Sequence, residues 1–195
     1  FAGWSFVGTS SAVVSNYGAG LVLNHFFGTL LNAAHGIGIQ VIGQLMAFAR
    51  HMLKALNPVI AKSEGAGNRQ QMITASLMGC KFSYFILAFF AIPAMVEMPY
   101  ILELWLKNVP QWTVIISRLL LIRSLIEHTT IVFSSSLAAE GRIKALNKWV
   151  CFVELLPLVL SYLLFYFGFS PIWMYIVGIL TYGLMFSAVH IYYMH

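Results

Sequence analysis

Arg123 and Glu127 lie one helical turn apart in "LIRSLIEHTT", residues 121–130, inside a stretch otherwise apolar enough to cross a membrane. On a helix advancing about 100° per residue, Arg123, Glu127, Thr130 and Ser134 project within roughly 60° of one another. A charge at mid-bilayer costs at least ~2.5–3.5 kcal/mol on insertion scales, so this stripe needs either a partner or water. Two readings fit. Arg123 and Glu127 neutralise each other while holding helices together, or the stripe faces a water-filled cavity through which something charged passes. Arg118 falls about 140° away, near the outer end, where its head would snorkel to the headgroups.

A second stretch repeats the pattern. In "GIGIQVIGQLMAFARHMLK", Gly36, Gln40, Gln44, Ala47, His51 and Lys54 share about 80° of a helical projection. Small and amide residues also pack membrane helices together, so Gln40 and Gln44 alone suit packing equally well. His51 and Lys54 add cations to the same face, near an end where an interfacial position is open to them. Ser5, Thr9, Ala12, Asn16 and Ala19 form a third, uncharged stripe within about 80°, suited to close packing or to a cavity wall. Lys81 is a lone cation that either snorkels or lines a cavity.

The elements that must position these residues are long apolar runs. About 20 mostly apolar residues cross the hydrocarbon as a helix, and stretches 4–23, 32–60, 72–96, 111–139, 149–168 and 171–193 qualify. Connectors rich in Gly, Pro and polar residues separate them at 24–30, 62–70, 97–110, 140–148 and 167–171. Cytoplasmic loops collect Lys and Arg. The second and fourth connectors hold Lys62, Arg69, Arg142, Lys144 and Lys148, whereas the others hold only Lys107, so both ends of the segment are expected on the cytoplasmic side. The segment "YILELWLKNVP" is too short to cross and suits a helix at the outer interface, anchored by Trp105 and Trp112.

Composition agrees: 60% hydrophobic and 9% charged residues, with a mean hydropathy of +0.83, describe an all-α integral membrane protein of about six transmembrane helices. The net charge of +5 is dispersed among apolar runs, which does not fit nucleic-acid binding. Cys80 and Cys151 both fall in apolar spans and read as buried thiols. The chain has no Asp, no His-Glu-x-x-His, no Gly-x-Ser-x-Gly and no phosphate-cradling loop, so neither an enzyme nor a cofactor is expected. His25, His35, His128, His190 and His195 are not spaced as metal ligands. The chain opens Phe-Ala-Gly without an initiator Met or a signal-peptide pattern and is read as part of a longer chain.

The segments "NHFFGTLLNAAHGIGIQ" (24–40), "NPVIAKSEGAGN" (57–68), "KFSYFILAFFAIPAMVEMPYILELWLKNVP" (81–110) and "AAEGRIK" (138–144) resemble bacterial O-antigen flippases of the polysaccharide biosynthesis family. That family belongs to the multidrug/oligosaccharidyl-lipid/polysaccharide exporter superfamily, and the resemblance spans essentially all 195 residues. It implies a MATE-like transporter of two six-helix lobes, with residues 1–195 as the second lobe and the first lobe as its partner. It also implies the bacterial inner membrane, and translocation of an undecaprenyl-diphosphate-linked oligosaccharide by alternating access, with polysaccharide polymerase machinery as a further partner. Cationic cavity residues of such flippases carry over to Arg123, and to Lys54, His51 and Lys81. On this resemblance Arg123 engages the diphosphate or an acidic sugar through its planar paired donors. Glu127 holds Arg123 in the empty state, and Gln40, Gln44 and Asn16 contact sugar hydroxyls.

Two departures accompany the resemblance. Related drug exporters use membrane-embedded carboxylates, often Asp, whereas the deep carboxylates here are Glu127 and Glu154; Asn68 stands where related sequences often carry an acidic residue. A multidrug or small-molecule cation-coupled antiporter on the same fold is the second reading, and a polyprenyl-handling membrane enzyme the third. The orientation is checkable by cysteine labelling. In intact cells a membrane-impermeant maleimide should modify an Asn108→Cys variant and spare Gly67→Cys until the membrane is permeabilised; the reverse pattern would invert the topology.

Overall fold

The apolar stretches fold as helices in a computed structural model that describes residues 2–54, 56–141 and 143–186, and no strand occurs among them. Gly28, at φ +81°, ends α1 (Ala2–Phe27) in the left-handed region that glycine occupies freely, and α2 (Thr29–Lys54) starts at once. Pro58 sits in the first turn of α3 (Asn57–Gly65), where its missing N–H needs no partner. The expected 32–60 helix is therefore two helices. The Asn68 side chain caps α4 (Arg69–Val96) by accepting from the Gln71 N–H at 3.1 Å, the local role of the position that departs from the resembled family.

After α4 comes the short α5 (Met98–Leu106), which buries Met98 and Leu102 and exposes Tyr100, Leu104 and Trp105. The expected 111–139 helix divides into α6 (Thr113–His128) and α7 (Phe133–Ala139). Thr129, Thr130, Ile131 and Val132 form a β-branched run with restricted side-chain rotamers. There the backbone tightens, with Thr129 N–H bonding Ile126 O and Thr130 N–H bonding Glu127 O. Next come α8 (Ile143–Tyr166), α9 (Ile172–Leu180) and a wider π-helical turn over Thr181–Phe186. His190, His195 and Arg142 lie outside the described residues, as do the side chains of Ser5, Ser134 and Lys144.

Among the described residues, three helical segments are long and apolar enough to cross a membrane: Phe6–Phe27, Arg69–Val96 and Asn147–Tyr166. The sequence reading expects about six. Two of its other stretches fall short for physical reasons: α2 ends in Arg50, His51 and Lys54, and α6 is interrupted by the β-branched run. The expected 171–193 stretch lies partly outside the described residues, which hold Ile172–Gly183 of it. The outward surfaces are apolar, with Phe6, Tyr17, Leu21, Phe82 and Phe89 all well exposed. Arg118 corrects another expectation. Instead of extending toward headgroups, it donates from Nε to Met95 O at 2.7 Å and from a terminal nitrogen to Val96 O at 3.3 Å. These are free carbonyls at the end of α4, where a cation is also favoured by the helix dipole.

Packing closes α1, α2, α6, α9 and α8 into a ring, each touching the next and α8 returning to α1, while α4 lies outside against α2 and α6. The closest seam joins α1 to α8. Gly8 meets the Asn147 side chain, the Ser11 hydroxyl lies 2.8 Å from Cys151 Sγ, Ser15 donates to the Glu154 carbonyl at 3.0 Å, and Gly18 meets Leu158. Small residues on one stripe let two backbones approach. Cys151 is thus half-buried in this seam, while Cys80 is fully buried.

A Cβ at Gly18 would lie 2.8 Å from Leu158, whereas one at Gly36 would meet nothing within 4 Å. Gly18→Leu should therefore cost about 1–3 kcal/mol through overpacking, read as a lowered unfolding temperature in detergent. Gly36→Leu should leave that temperature unchanged. Equal behaviour of the two would show that the α1–α8 seam is not tightly packed.

Candidate functional site

Inside the ring, two adjoining chambers of about 80 Å³ and about 320 Å³ share Asn16, Ile39, Arg123 and Tyr182 in their walls. On α1 the face next to the α8 seam turns inward, bringing Ala12, Asn16 and Ala19 to the cavity. On α2, Ile39, Gly43, Met46 and Arg50 recur at helical spacing and form the wall. On α6, Arg123, Ser124 and Glu127 complete it, with Glu154 of α8 facing them.

Arg123 occupies the boundary between the chambers. Its guanidinium carbon sits 4.1 Å from the centre of the Tyr182 ring, a cation–π contact worth ~0.5–2 kcal/mol depending on desolvation. The Tyr182 hydroxyl donates to Glu154 Oε1 at 2.7 Å. A charge-assisted chain thus runs from α6 through the π-helical turn to α8. The extra residue per turn in a π-helix is a common device at functional sites, and here it holds the aromatic ring against Arg123. The guanidinium N–H groups have no hydrogen-bond acceptor or ion-pair partner among the described residues. They are available to an anion.

The Arg123–Glu127 pair expected for the empty state does not form. Arg123 lies over Tyr182, and Glu127 lines the larger chamber without an ion-pair partner among the described residues. The ion pair recorded among the described residues is Arg69–Glu140, at 2.9 Å, between the start of α4 and the end of α7. Nor does the 123/127/130/134 stripe run on as one helical face, because α6 stops at His128 and Thr130 lies buried in the break. His128 is fully buried, and its Nδ1–H donates to Ser124 O at 2.8 Å, a structural role.

Of the residues singled out in the sequence, Arg123, Glu127 and Asn16 meet at this cavity. Gln40, Gln44, His51 and Lys54 lie exposed on a neighbouring face of α2, and Lys81 is exposed on α4; none of them lines these chambers. Sequence reasoning missed Arg50, Tyr182, His35 and Tyr175. Arg50 carried a signal, a cation spaced with Ile39, Gly43 and Met46, which was masked by the more polar face one residue along. The two tyrosines carried none, since aromatic residues are ordinary throughout this chain.

The fold and site together define a helical protein with, among the described residues, three membrane-length apolar segments and an open, charge-lined cavity among a ring of helices. Comparison with known protein families, with curated proteins and with solved structures finds no match to this chain.

The chain of contacts predicts unequal consequences at Tyr182. Tyr182→Phe keeps the ring under Arg123 but strips Glu154 of its donor, an expected loss of about 1–3 kcal/mol for a buried acceptor left unsatisfied. Glu154→Gln in the Tyr182→Phe background should recover part of it. Thermal unfolding of the four forms in a double-mutant cycle reads the coupling, and strict additivity would show that the bond does not hold α8 to the π-helical turn.

Proposed function

We propose that this chain is one lobe of a membrane transporter that moves an anionic, lipid-linked oligosaccharide across the bilayer. The observation that carries the reading is Arg123: a guanidinium in an open cavity among the helices, held by an aromatic face, with its N–H donors unspent among the described residues. The cation–π contact with Tyr182 holds the guanidinium in place and leaves its N–H donors for paired phosphate or carboxylate oxygens. Arg50 adds a second cation to the larger chamber, and Asn16 and Ser15 add groups able to bond sugar hydroxyls.

The resemblance to O-antigen flippases supplies the substrate class, an undecaprenyl-diphosphate-linked repeat unit carried from the cytoplasmic to the periplasmic leaflet. In that two-lobe, six-helix-per-lobe arrangement, the exposed Gln40, Gln44, His51 and Lys54 would face the first lobe or the passage between lobes. The work is binding and reorientation, without enzymatic chemistry. A second reading is favoured by Glu127 and Glu154, two carboxylates in the same cavity. A cation-coupled antiporter of the same superfamily would need such groups.

Surface polysaccharide display separates the two readings. In a flippase-deficient strain supplied with the matching sugar pathway, the full parental protein should restore display, Arg123→Lys should restore it partly, and Arg123→Ala should fail at equal membrane levels. The expected loss of headgroup binding in the alanine variant is about 1.5–3 kcal/mol, roughly tenfold to a hundredfold in affinity. Full rescue by Arg123→Ala would remove Arg123 from the substrate site. No rescue by wild type would turn the assignment to the antiporter.

A further inference from the structure

His35 and Arg123 both line the smaller chamber, and each brings donors that no described protein group uses. His35 is only 6% exposed. Its Nδ1 lies 2.9 Å from the Tyr175 hydroxyl, and its Nε2 is buried without a partner. Tyr175 makes no other hydrogen bond among the described residues, so its O–H is satisfied by donating to Nδ1. That bond sets the tautomer: Nε2 carries the proton and stands as an unused donor. Burying a donor unmade is costly, and an acceptor brought by a ligand removes the cost.

Helix α9 sets the two donors on one side of the chamber. Tyr175 and Gly178 stand about one turn apart on that helix and share a face. A Cβ at Gly178 would lie 3.9 Å from Arg123 Nη1, so glycine leaves this guanidinium nitrogen room at the chamber wall. Around the donors the walls are apolar, with Ile39, Leu119, Leu120 and Met174, surroundings that strengthen a hydrogen bond to a charged group. Glu127 and Glu154 line the larger chamber but not this one. One guanidinium and one neutral imidazole balance a single negative charge. A carboxylate fits that balance, whereas a diphosphate carries more charge than the chamber offsets. The paired donors of arginine also match the two oxygens of a carboxylate.

We propose that the smaller chamber is a carboxylate pocket for an acidic sugar, with His35 as the residue that selects it over a neutral one. This rests on the reading of Arg123 as an anion site. The carboxylate accepts from Arg123 and from His35 Nε2–H. Asn16, which lines both chambers, offers its amide to a hydroxyl of the sugar ring as that ring extends into the larger chamber. A neutral sugar leaves both donors without a charged acceptor, and a site built to donate hydrogen bonds rejects a ligand that cannot accept them. Tyr175 acts through His35 as a positioning residue, since its hydroxyl directs the imidazole proton to Nε2.

The test measures binding to the full chain in lipid nanodiscs, with glucuronate, glucose, acetate and inorganic phosphate as probes. Wild type should bind glucuronate more tightly than glucose or acetate. His35→Phe should weaken glucuronate about tenfold, the weight of one hydrogen bond to a charged group, and leave phosphate unchanged. His35→Gln, which keeps a donor nitrogen, should recover part of the loss, and Arg123→Ala should weaken glucuronate and phosphate together. Tyr175→Phe leaves His35 in place and should also weaken glucuronate alone, which serves the test if His35→Phe does not fold. Unchanged glucuronate binding in His35→Phe and Tyr175→Phe, with Arg123→Ala still impaired, would overturn the carboxylate pocket and keep Arg123 as an anion site. Loss in His35→Phe with no effect of Arg123→Ala would sink the reading of Arg123. Equal weakening of glucuronate and phosphate in His35→Phe, without recovery in His35→Gln, would make His35 structural and overturn its selective role. Glucuronate bound no more tightly than glucose would overturn the carboxylate, and no more tightly than acetate would overturn the sugar.

Discussion

The close approach of α1 and α8 is the constraint on which the rest depends. Gly8, Ser11, Ser15 and Gly18 present almost no side-chain bulk to Asn147, Cys151, Glu154 and Leu158, so the two helices meet along a small-residue seam. That seam closes the ring of α1, α2, α6, α9 and α8. An open ring would leave Arg123, Glu127 and Glu154 on an outer surface, where an apolar solvent would make each of them costly. The seam also sets where Glu154 stands: its backbone carbonyl is held by Ser15, and its carboxylate thereby meets Tyr182.

Within the ring, the charge problem is solved by distribution over several elements. Arg123 belongs to α6, the ring it stacks on to the π-helical turn, and the carboxylate bonded to that ring to α8. A direct ion pair between Arg123 and Glu127 would occupy both partners within a single helix. Stacking instead favours the cation through the face of the aromatic ring and leaves its N–H donors directed elsewhere. Close packing keeps the arrangement in register: Gly183 in the same turn sits against Ile126, one residue before Glu127. Outside the ring, Arg118 ties the end of α4 to α6, and Arg69–Glu140 joins the start of α4 to the end of α7. The supporting helix is thus fixed at both ends by arginine contacts of ordinary structural kind.

Much of this was legible in the sequence. Helical content, approximate element limits and the membrane-like composition follow from run length and hydropathy, because burying a backbone away from water demands helices and apolar side chains whatever the neighbours are. The conspicuous charge at Arg123 was legible for the same reason: a cation in an apolar run needs an explanation. Glu127 could be placed on the same face by helical spacing, while Asn16 was legible only as part of a separate polar stripe on α1. Local breaks were less visible, although Pro58 and the run Thr129–Val132 show afterwards why helices end there.

What the tertiary structure decided is partnership. Helical periodicity groups residues of one helix on a face but does not say which face meets which neighbour, and α2 carried two polar faces to choose from. Helix packing brought Ile39, Gly43, Met46 and Arg50 to the wall of the cavity and left Gln40, Gln44, His51 and Lys54 off it. Tyr182 beneath Arg123, Glu154 behind Tyr182 and His35 bonded to Tyr175 are contacts between helices distant in the chain. Such contacts depend on close packing at small residues and on the phase shift of one π-helical turn, which local residue pattern does not encode. The sequence by itself determined that this chain makes apolar helices bearing a few conspicuous charges; only the packing of those helices decided which charges share one cavity and which lie away from it.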